Sequence, residues 1–149
     1  MKASYHFAAT VAVSGILYFV FHSLSCVLIS FASGFLIDVD HLIDYYRITG
    51  FNCKVKQFFY YCNTHKLEYL SIYFHSIEFL IMLWIAIYVM KSGQFWISLA
   101  IGFSQHMIFD LIFNRTDLKT HYFYFLTIRA LNGFNVDKFR HLKKKQKLR

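Results

Sequence analysis

Residues 7–37 form an almost unbroken apolar stretch, and this stretch restricts what the chain can fold into. A membrane-spanning helix needs about 20 such residues, so the stretch is too long for one ordinary span and short for two. The composition agrees, because 57% of the 149 residues are hydrophobic, 21% are aromatic and proline is absent. These features are typical of a membrane protein and rare in a soluble domain of this length.

His22 and Ser23 interrupt the stretch near its middle and leave two interpretations open. In the first, residues 6–21 and 24–38 form a helical hairpin, each helix about 22–24 Å long at 1.5 Å per residue. In the second, one helix crosses the membrane over about residues 15–37. We favour the hairpin because of the polar residues described below.

Two further apolar segments, 69–90 and 95–113, are predicted to be spans joined by a tight turn. Residues 42–68 predict a loop with a short interfacial helix around 55–62, and residues 118–131 predict another helix in the interface. The expected fold is therefore all-α.

The expected architecture is an integral membrane four-helix bundle with an N-terminal helical hairpin and a C-terminal interfacial helix. We divide the chain into a transmembrane helical domain that carries the site described below, 1–114, and an interfacial segment with a basic cytoplasmic tail, 115–149.

The net charge of +8 is unevenly distributed along the chain. Of the 16 Lys and Arg residues, four lie between residues 47 and 66 and ten follow Phe113, seven of them within residues 138–149. The positive-inside rule places these regions in the cytoplasm, and the hairpin places the N-terminus there too. We expect a bacterial cytoplasmic (inner) membrane with both termini inside. The pattern indicates membrane orientation and lipid contact rather than nucleic-acid binding.

Acidic and imidazole side chains gather near the cytoplasmic ends of the predicted helices. Residues 34–41 read Gly-Phe-Leu-Ile-Asp-Val-Asp-His, so an apolar run ends in two carboxylates and an imidazole. Acidic groups cost several kcal/mol in hydrocarbon and are rare there without a partner or a function. By helix rise, residues from four segments fall within roughly 12 Å of one plane. They are His6, Asp38, Asp40, His41, His75, His106 and Asp110.

This common depth is the reason for favouring the hairpin. A single span would place His6 and Asp38 on opposite sides of the membrane. Spacing adds support, because His106 and Asp110 share a helix face at i and i+4. On the predicted third helix, His75 and Glu78 share a face at i and i+3.

Carboxylates and imidazoles together are ligands that Zn, Mn or Fe accepts. We therefore predict a divalent-metal site from the seven residues, with Zn as the first choice. Asp38 is either a ligand that bridges two ions or the base that takes a proton from water. Glu78 is a general base, a partner of a ligand, or a polar contact between helices. Gly34 and Gly102 are expected to let helices approach closely.

The order of these motifs resembles that of the membrane-bound metal-dependent hydrolase family (YdjM-like), itself similar to zinc-dependent phospholipase C. Over residues 4–114, the family pattern has an early His, then Gly…Leu-Pro-Asp-Ile-Asp-His, His-Arg-Gly-x-x-His-Ser, and Gly-Tyr-x-Ser-His-x-x-x-Asp. The chain departs from it at Ile37, where the family has Pro, and at residues 71–74, where Ser-Ile-Tyr-Phe replaces the His-Arg-Gly half. The resemblance implies a divergent member.

The resemblance implies metal-assisted hydrolysis. A site at the boundary between membrane and cytoplasm suits a phosphoester or ester of a lipid or other amphiphile, whose headgroup reaches that depth. The protein's partners would be membrane lipid and a lipid-like substrate. The alternative is a non-catalytic small membrane protein, in which polar side chains join helices and the basic tail binds lipid or a partner.

Overall fold

The structure is a computed structural model that describes residues 3–50, 54–64, 69, 71–114 and 118–139. Most of these residues are helical, which confirms the all-α prediction. No strand occurs among them, and a single isolated β-bridge pairs Tyr69 with Asn135. The predicted basic tail lies outside the described residues from position 140 onward.

Two helices precede the acidic motif, as the hairpin interpretation predicts. Helix α1 covers Ala3–Phe21 and α2 covers Leu24–Phe35. His22 lies at the turn with a positive φ of 47°. The two helices pack along each other, and Ser14 Oγ donates to Ser30 Oγ across 3.3 Å.

The acidic motif is the middle of a longer helical run rather than its end. A 3₁₀ segment, Leu36–Asp40, follows α2, and helix α3 continues over His41–Thr49. The predicted loop beginning at residue 42 is therefore wrong at its start. Tertiary contacts stabilise α3: Tyr45 is fully buried, and an Asp44 carboxylate oxygen accepts from the Ser71 N–H at 2.8 Å. Helix α4, Val55–Thr64, occupies the position of the predicted short helix.

The third predicted span is shorter than expected. Helix α5 covers only Ile77–Val89, because Ser76 is its N-cap and accepts from the Phe79 N–H at 3.1 Å. Residues 71–76 therefore approach α5 as a non-helical segment. His75 lies in this segment, so the shared helix face predicted for His75 and Glu78 does not form.

Helix α6, Gln94–Phe113, matches the fourth predicted span, and its contact with α2 is very close. A Cβ added at Gly102 would overlap the Ser33 hydroxyl and the Ser30 carbonyl oxygen. One added at Gly34 would lie 3.2 Å from the Gly102 carbonyl oxygen. The expected close approach at these glycines is confirmed, and it places the acidic motif beside the end of α6.

The C-terminal segment folds back over the bundle. Within the interfacial helix predicted at 118–131, the structure has a 3₁₀ segment, His121–Tyr124, and helix α7, Leu126–Leu131. A buried apolar cluster joins this segment to α6 and to residues 71–76, so it crosses the division at 114/115. The members of this cluster are Ile72, Met107, Phe123, Tyr124, Val136 and Phe139.

Two helical runs are long and apolar enough to cross a membrane by length and composition: Leu24–Arg47 and Gln94–Phe113. The apolar helices Tyr5–Phe21 and Ile77–Val89 are shorter. Large apolar side chains point outward from the helices, and Tyr88 and Phe19 are 85% and 76% exposed.

Candidate metal centre

The seven predicted ligand residues meet at one end of the bundle. They come from α1, the 3₁₀ segment, α3, the non-helical segment before α5, and α6. Five of them are buried: His6, Asp40, His75, His106 and Asp110.

Three side chains form the centre of this cluster. His75 Nε2 lies 3.2 Å from His106 Nε2 and 3.2 Å from Asp38 Oδ1. His106 Nε2 lies 3.4 Å from the same Asp38 oxygen. Asp110 Oδ2 completes the group at 3.8 Å from both imidazole nitrogens.

The contacts of Nδ1 in His75 and His106 determine that Nε2 of each ring faces the cluster. His106 Nδ1 lies 2.8 Å from the Gly34 carbonyl oxygen, which can only accept, so Nδ1 carries the hydrogen. His75 Nδ1 lies 3.1 Å from an Asp40 carboxylate oxygen, which favours a hydrogen on that nitrogen too. In the neutral imidazoles, both Nε2 lone pairs then point at each other and at Asp38. Such an arrangement needs a proton or a cation among the three atoms.

The separations fit a divalent ion. Ligand atoms bound at about 2.0–2.1 Å around a tetrahedral zinc lie about 3.3 Å apart. The distances among His75, His106 and Asp38 are 3.2–3.4 Å, and those to Asp110 are 3.8 Å. The buried His and Asp groups could therefore hold a metal ion.

Asp40, predicted as a ligand, lies on the Nδ1 side of the His75 ring, away from the central Nε2 atoms. Its Oδ2 accepts from the Phe74 N–H at 3.2 Å and contacts His75 Nδ1 at 3.1 Å. A carboxylate on the outer nitrogen of a ligand histidine fixes the ring orientation and tautomer. The geometry therefore favours an orienting role for Asp40.

His6 and His41 flank the centre on opposite sides. His6 Nε2 lies 3.1 Å from Asp110 Oδ1, and its ring stacks on His106 at 4.1 Å. His41 Nε2 lies 3.8 Å from Asp38 Oδ1. His6 forms a group of three with His106 and Asp110, and His41 forms another with Asp38 and His75. Within each group, the potential ligand atoms lie within 4.8 Å of one another.

The cluster opens to the surface at Asp38. This side chain is 41% exposed and that of His41 is 21%, whereas those of His75 and Asp110 are 1% and 10%. Water can therefore reach the centre from the side of the 3₁₀ segment.

Glu78 is directed away from this centre. One carboxylate oxygen accepts from the Leu126 N–H at 2.8 Å, and the other accepts from the Thr127 N–H and hydroxyl at 3.0 and 2.8 Å. It thus caps the start of α7, and the general-base alternative gains no support from this geometry. His22 and His121 lie at surface positions, and His65 and His141 lie outside the described residues.

Two residues outside the predicted set form hydrogen bonds to the backbone of residues in this cluster. The Tyr124 hydroxyl donates to the Asp110 carbonyl oxygen at 3.0 Å, and Arg129 Nη2 donates to the His75 carbonyl oxygen at 3.0 Å. Arg129 is only 1% exposed. Burial lowers the pKa of its guanidinium, while the carboxylates of Asp40, Glu78 and Asp44 act in the opposite direction. A lone arginine in an aromatic, leucine-rich segment was the signal that could have identified it.

The electrostatics of His75 show how strongly the carboxylates favour positive charge here. Burial alone lowers the pKa of its imidazole, but the hydrogen bonds to Asp38 and Asp40 together with the negative charges of these carboxylates outweigh burial and raise the pKa to about 10. A proton on His75, or a divalent cation beside it, would supply that charge.

Comparison with protein-family models found no match to this chain, and comparisons with curated proteins and with solved structures found none either.

Proposed function

We propose that this protein is a membrane-embedded, metal-dependent hydrolase. Its substrate is a phosphoester or ester of a lipid or other amphiphile at the cytoplasmic face. One observation carries the proposal: His75 Nε2, His106 Nε2 and Asp38 Oδ1 are three electron-pair donors at mutual distances of 3.2–3.4 Å.

The membrane part of the proposal is a four-helix bundle built from α1, the run through α2 and α3, α5 and α6. Outward-facing apolar side chains support it, as does the uneven distribution of Lys and Arg. Helix α5, with 13 residues, is about 20 Å long, and the non-helical segment that carries His75 lies outside this crossing, at its cytoplasmic end. The metal centre then lies at the cytoplasmic edge.

His75, His106, Asp38 and Asp110 would hold the ion, with His6 and His41 beside them. Two imidazoles and two carboxylates suit Zn first and Mn or Fe as alternatives. A bound ion of this kind lowers the pKa of a coordinated water and polarises a phosphoryl or acyl oxygen.

The chain's own residues supply orientation and proton transfer. Asp40 and the Gly34 carbonyl oxygen hold the two central imidazoles with Nε2 inward. Asp38 is a ligand in this proposal. In the alternative, in which it is instead the base that takes a proton from water, the proton is at the opening and can pass to solvent. The buried side of the cluster excludes water from the opposite direction.

The motif order supports a family assignment. We propose a divergent member of the membrane-bound metal-dependent hydrolases (YdjM-like), on the order of His6, the 34–41 motif, His75 and the His106/Asp110 pair. Residues 71–74 lack the His-Arg-Gly half of the third motif, so this chain would hold its ion without that ligand.

Metal analysis of the purified full chain tests the proposal. Native protein loaded with Zn or Mn and then desalted should retain stoichiometric metal, and Asp38→Ala and His106→Ala should lose it. His22→Asn is the matched control, because His22 lies in the outer turn with a positive φ that asparagine tolerates. Metal content unchanged in both centre variants would refute the site.

Activity is a separate measurement. Native protein should hydrolyse members of a phosphodiester and phospholipid panel, a chelator should abolish the reaction, and the ion should restore it. Retained metal without hydrolysis of any panel member would leave a metal site and reject the enzyme.

The non-catalytic alternative rests on His75. In its protonated form, His75 would donate from Nε2 to Asp38 and from Nδ1 to Asp40, at 3.2 and 3.1 Å, and so satisfy both carboxylates without a metal. The cluster would then only join helices, and the metal analysis above separates the two proposals.

A further inference from the structure

A polar cavity of about 380 Å³ lies beside the last turn of α6. Its described lining has five polar side chains from the end of α6 and the C-terminal segment. They are Asn114, Lys119, Thr120, His121 and Tyr124.

Tyr124 joins the cavity to the metal centre. Its hydroxyl donates to the main-chain oxygen of Asp110 and accepts from Asn114 Nδ2, both at 3.0 Å. Asn114 follows Asp110 by four residues, or about 6 Å along a helix. The cavity therefore begins one turn beyond a proposed metal ligand.

The lining is suited to an anion. Lys119 supplies an ammonium group and His121 an imidazole, and neither forms an ion pair with a carboxylate in the described part of the chain. No acidic side chain belongs to the described lining. The Thr120 oxygen accepts from the Tyr122 N–H, which leaves the hydroxyl hydrogen free to donate.

Leu111 and Leu118 complete the lining. A cavity of this volume is at the lower end of the range for small-molecule sites, which combine apolar walls with a few polar groups. Hydrogen-bond donors beside leucines fit a molecule with a phosphate and an aliphatic part.

We propose that this cavity binds the phosphate of a phosphate-bearing amphiphile. This binding is separate from the proposed hydrolysis, because Tyr124 and Asp110, through which the cavity adjoins the metal centre, are buried, whereas the centre opens at Asp38. Lys119 and His121 contact the phosphate, and Leu111 and Leu118 contact the beginning of the acyl part.

Calorimetric titration of the full chain in detergent tests the proposal with three probes: dihexanoyl phosphatidic acid, dihexanoylglycerol and inorganic phosphate. Phosphatidic acid should bind at least about tenfold more tightly than the glyceride, because charged hydrogen bonds are lost without the phosphate. The double variant Lys119→Ala/His121→Ala should lose about the same factor while keeping its metal. Lys91→Ala, in the turn at the opposite end of the bundle, is the matched control and should bind like native protein.

Equal binding by native protein and the double variant would overturn the proposal. Inorganic phosphate that binds as tightly as phosphatidic acid would overturn the lipid identity and make free phosphate the occupant. Asp38→Asn should lose metal and keep phosphatidic acid binding, which supports the cavity even where hydrolysis fails. Loss of phosphatidic acid binding together with the metal would place the phosphate at the metal centre and refute the separate cavity.

Discussion

His106 Nδ1 lies 2.8 Å from the carbonyl oxygen of Gly34, so a glycine of α2 determines which nitrogen of an α6 histidine faces the cluster. This contact exists because α2 and α6 approach closely at Gly34 and Gly102. The first prediction follows from that packing.

Gly102→Ala should destabilise the protein by about 1–3 kcal/mol, because the added methyl group overlaps the Ser33 hydroxyl and the Ser30 carbonyl oxygen. It should also weaken Zn binding, since the Gly34 contact to His106 shifts. Gly15→Ala in α1 is the control: nothing lies within 4 Å of its added Cβ, and alanine in a helix stabilises by about 0.5–1 kcal/mol relative to glycine. Thermal unfolding in detergent and Zn titration measure both. Equal melting temperatures for the two variants would contradict the packing argument.

Asp40→Asn should lower Zn affinity by about 10–100-fold, the usual cost of losing a carboxylate that orients a ligand histidine. The protein should still fold, because asparagine keeps the shape and can still accept from the Phe74 N–H. Competition with a metal indicator gives the affinity. A complete loss of metal, equal to that of His106→Ala, would instead make Asp40 a direct ligand.

The stability of the protein from which EDTA has removed metal should depend on pH through His75. Its pKa is raised from 6.5 to about 10, so its contribution is fully present below pH 6.5 and is lost as the pH rises toward 10. With EDTA, the melting temperature should fall between pH 7 and 10, and added Zn should reduce that fall by taking the place of the proton. His75→Gln should remove most of this pH dependence. An unchanged profile in that variant would assign the effect to another group.

Arg129→Met should lower stability by about 1.5–3 kcal/mol, because the His75 carbonyl oxygen loses a charged hydrogen-bond donor. Zn affinity should fall as well, since the segment that carries His75 is no longer held. Arg129→Lys should restore part of both properties. Lys91→Met, exposed in the turn between α5 and α6, should change neither. Loss of stability without any change in affinity would limit Arg129 to packing.

Topology can be tested with single cysteines in a cysteine-free background. An impermeant thiol reagent added outside intact cells should label Ser92→Cys, in the turn between α5 and α6, and spare Ser4→Cys at the start of α1. The expected pattern follows from the proposed cytoplasmic position of the basic segments. Labelling of position 4 from outside would reject the proposed orientation.

The apolar segments of the sequence predicted the main helices, and the position of each polar residue along its helix predicted which polar residues lie together. The 7–37 stretch could be resolved into α1 and α2 only by asking where His6 must lie relative to Asp38. The start of α5 was missed because residues 71–74 are as apolar as a span, although Ser76 carries the N-cap signal. The sequence of α3 is mixed in polarity, and tertiary contacts stabilise the helix. The local hydrophobic pattern therefore does not predict it.

The orientation of the side chains was the harder part to predict. That Asp40 lies behind His75 follows from the 3₁₀ geometry of Leu36–Asp40, which turns three residues per revolution instead of 3.6. Arg129 lies 54 residues from His75 along the chain, and Glu78 lies 48 residues from Leu126. Contacts over such separations are set by packing and are not encoded in any short motif.

His6 and Asp110, whose side chains are in direct contact, are separated by 104 positions in the chain. During synthesis the first of these partners leaves the ribosome long before the second exists. A nascent chain that stops before α6 therefore lacks two of the four proposed ligands. The four proposed ligands can therefore meet only after α6 has been made, so a centre that held all four would mark a chain synthesised at least as far as residue 110.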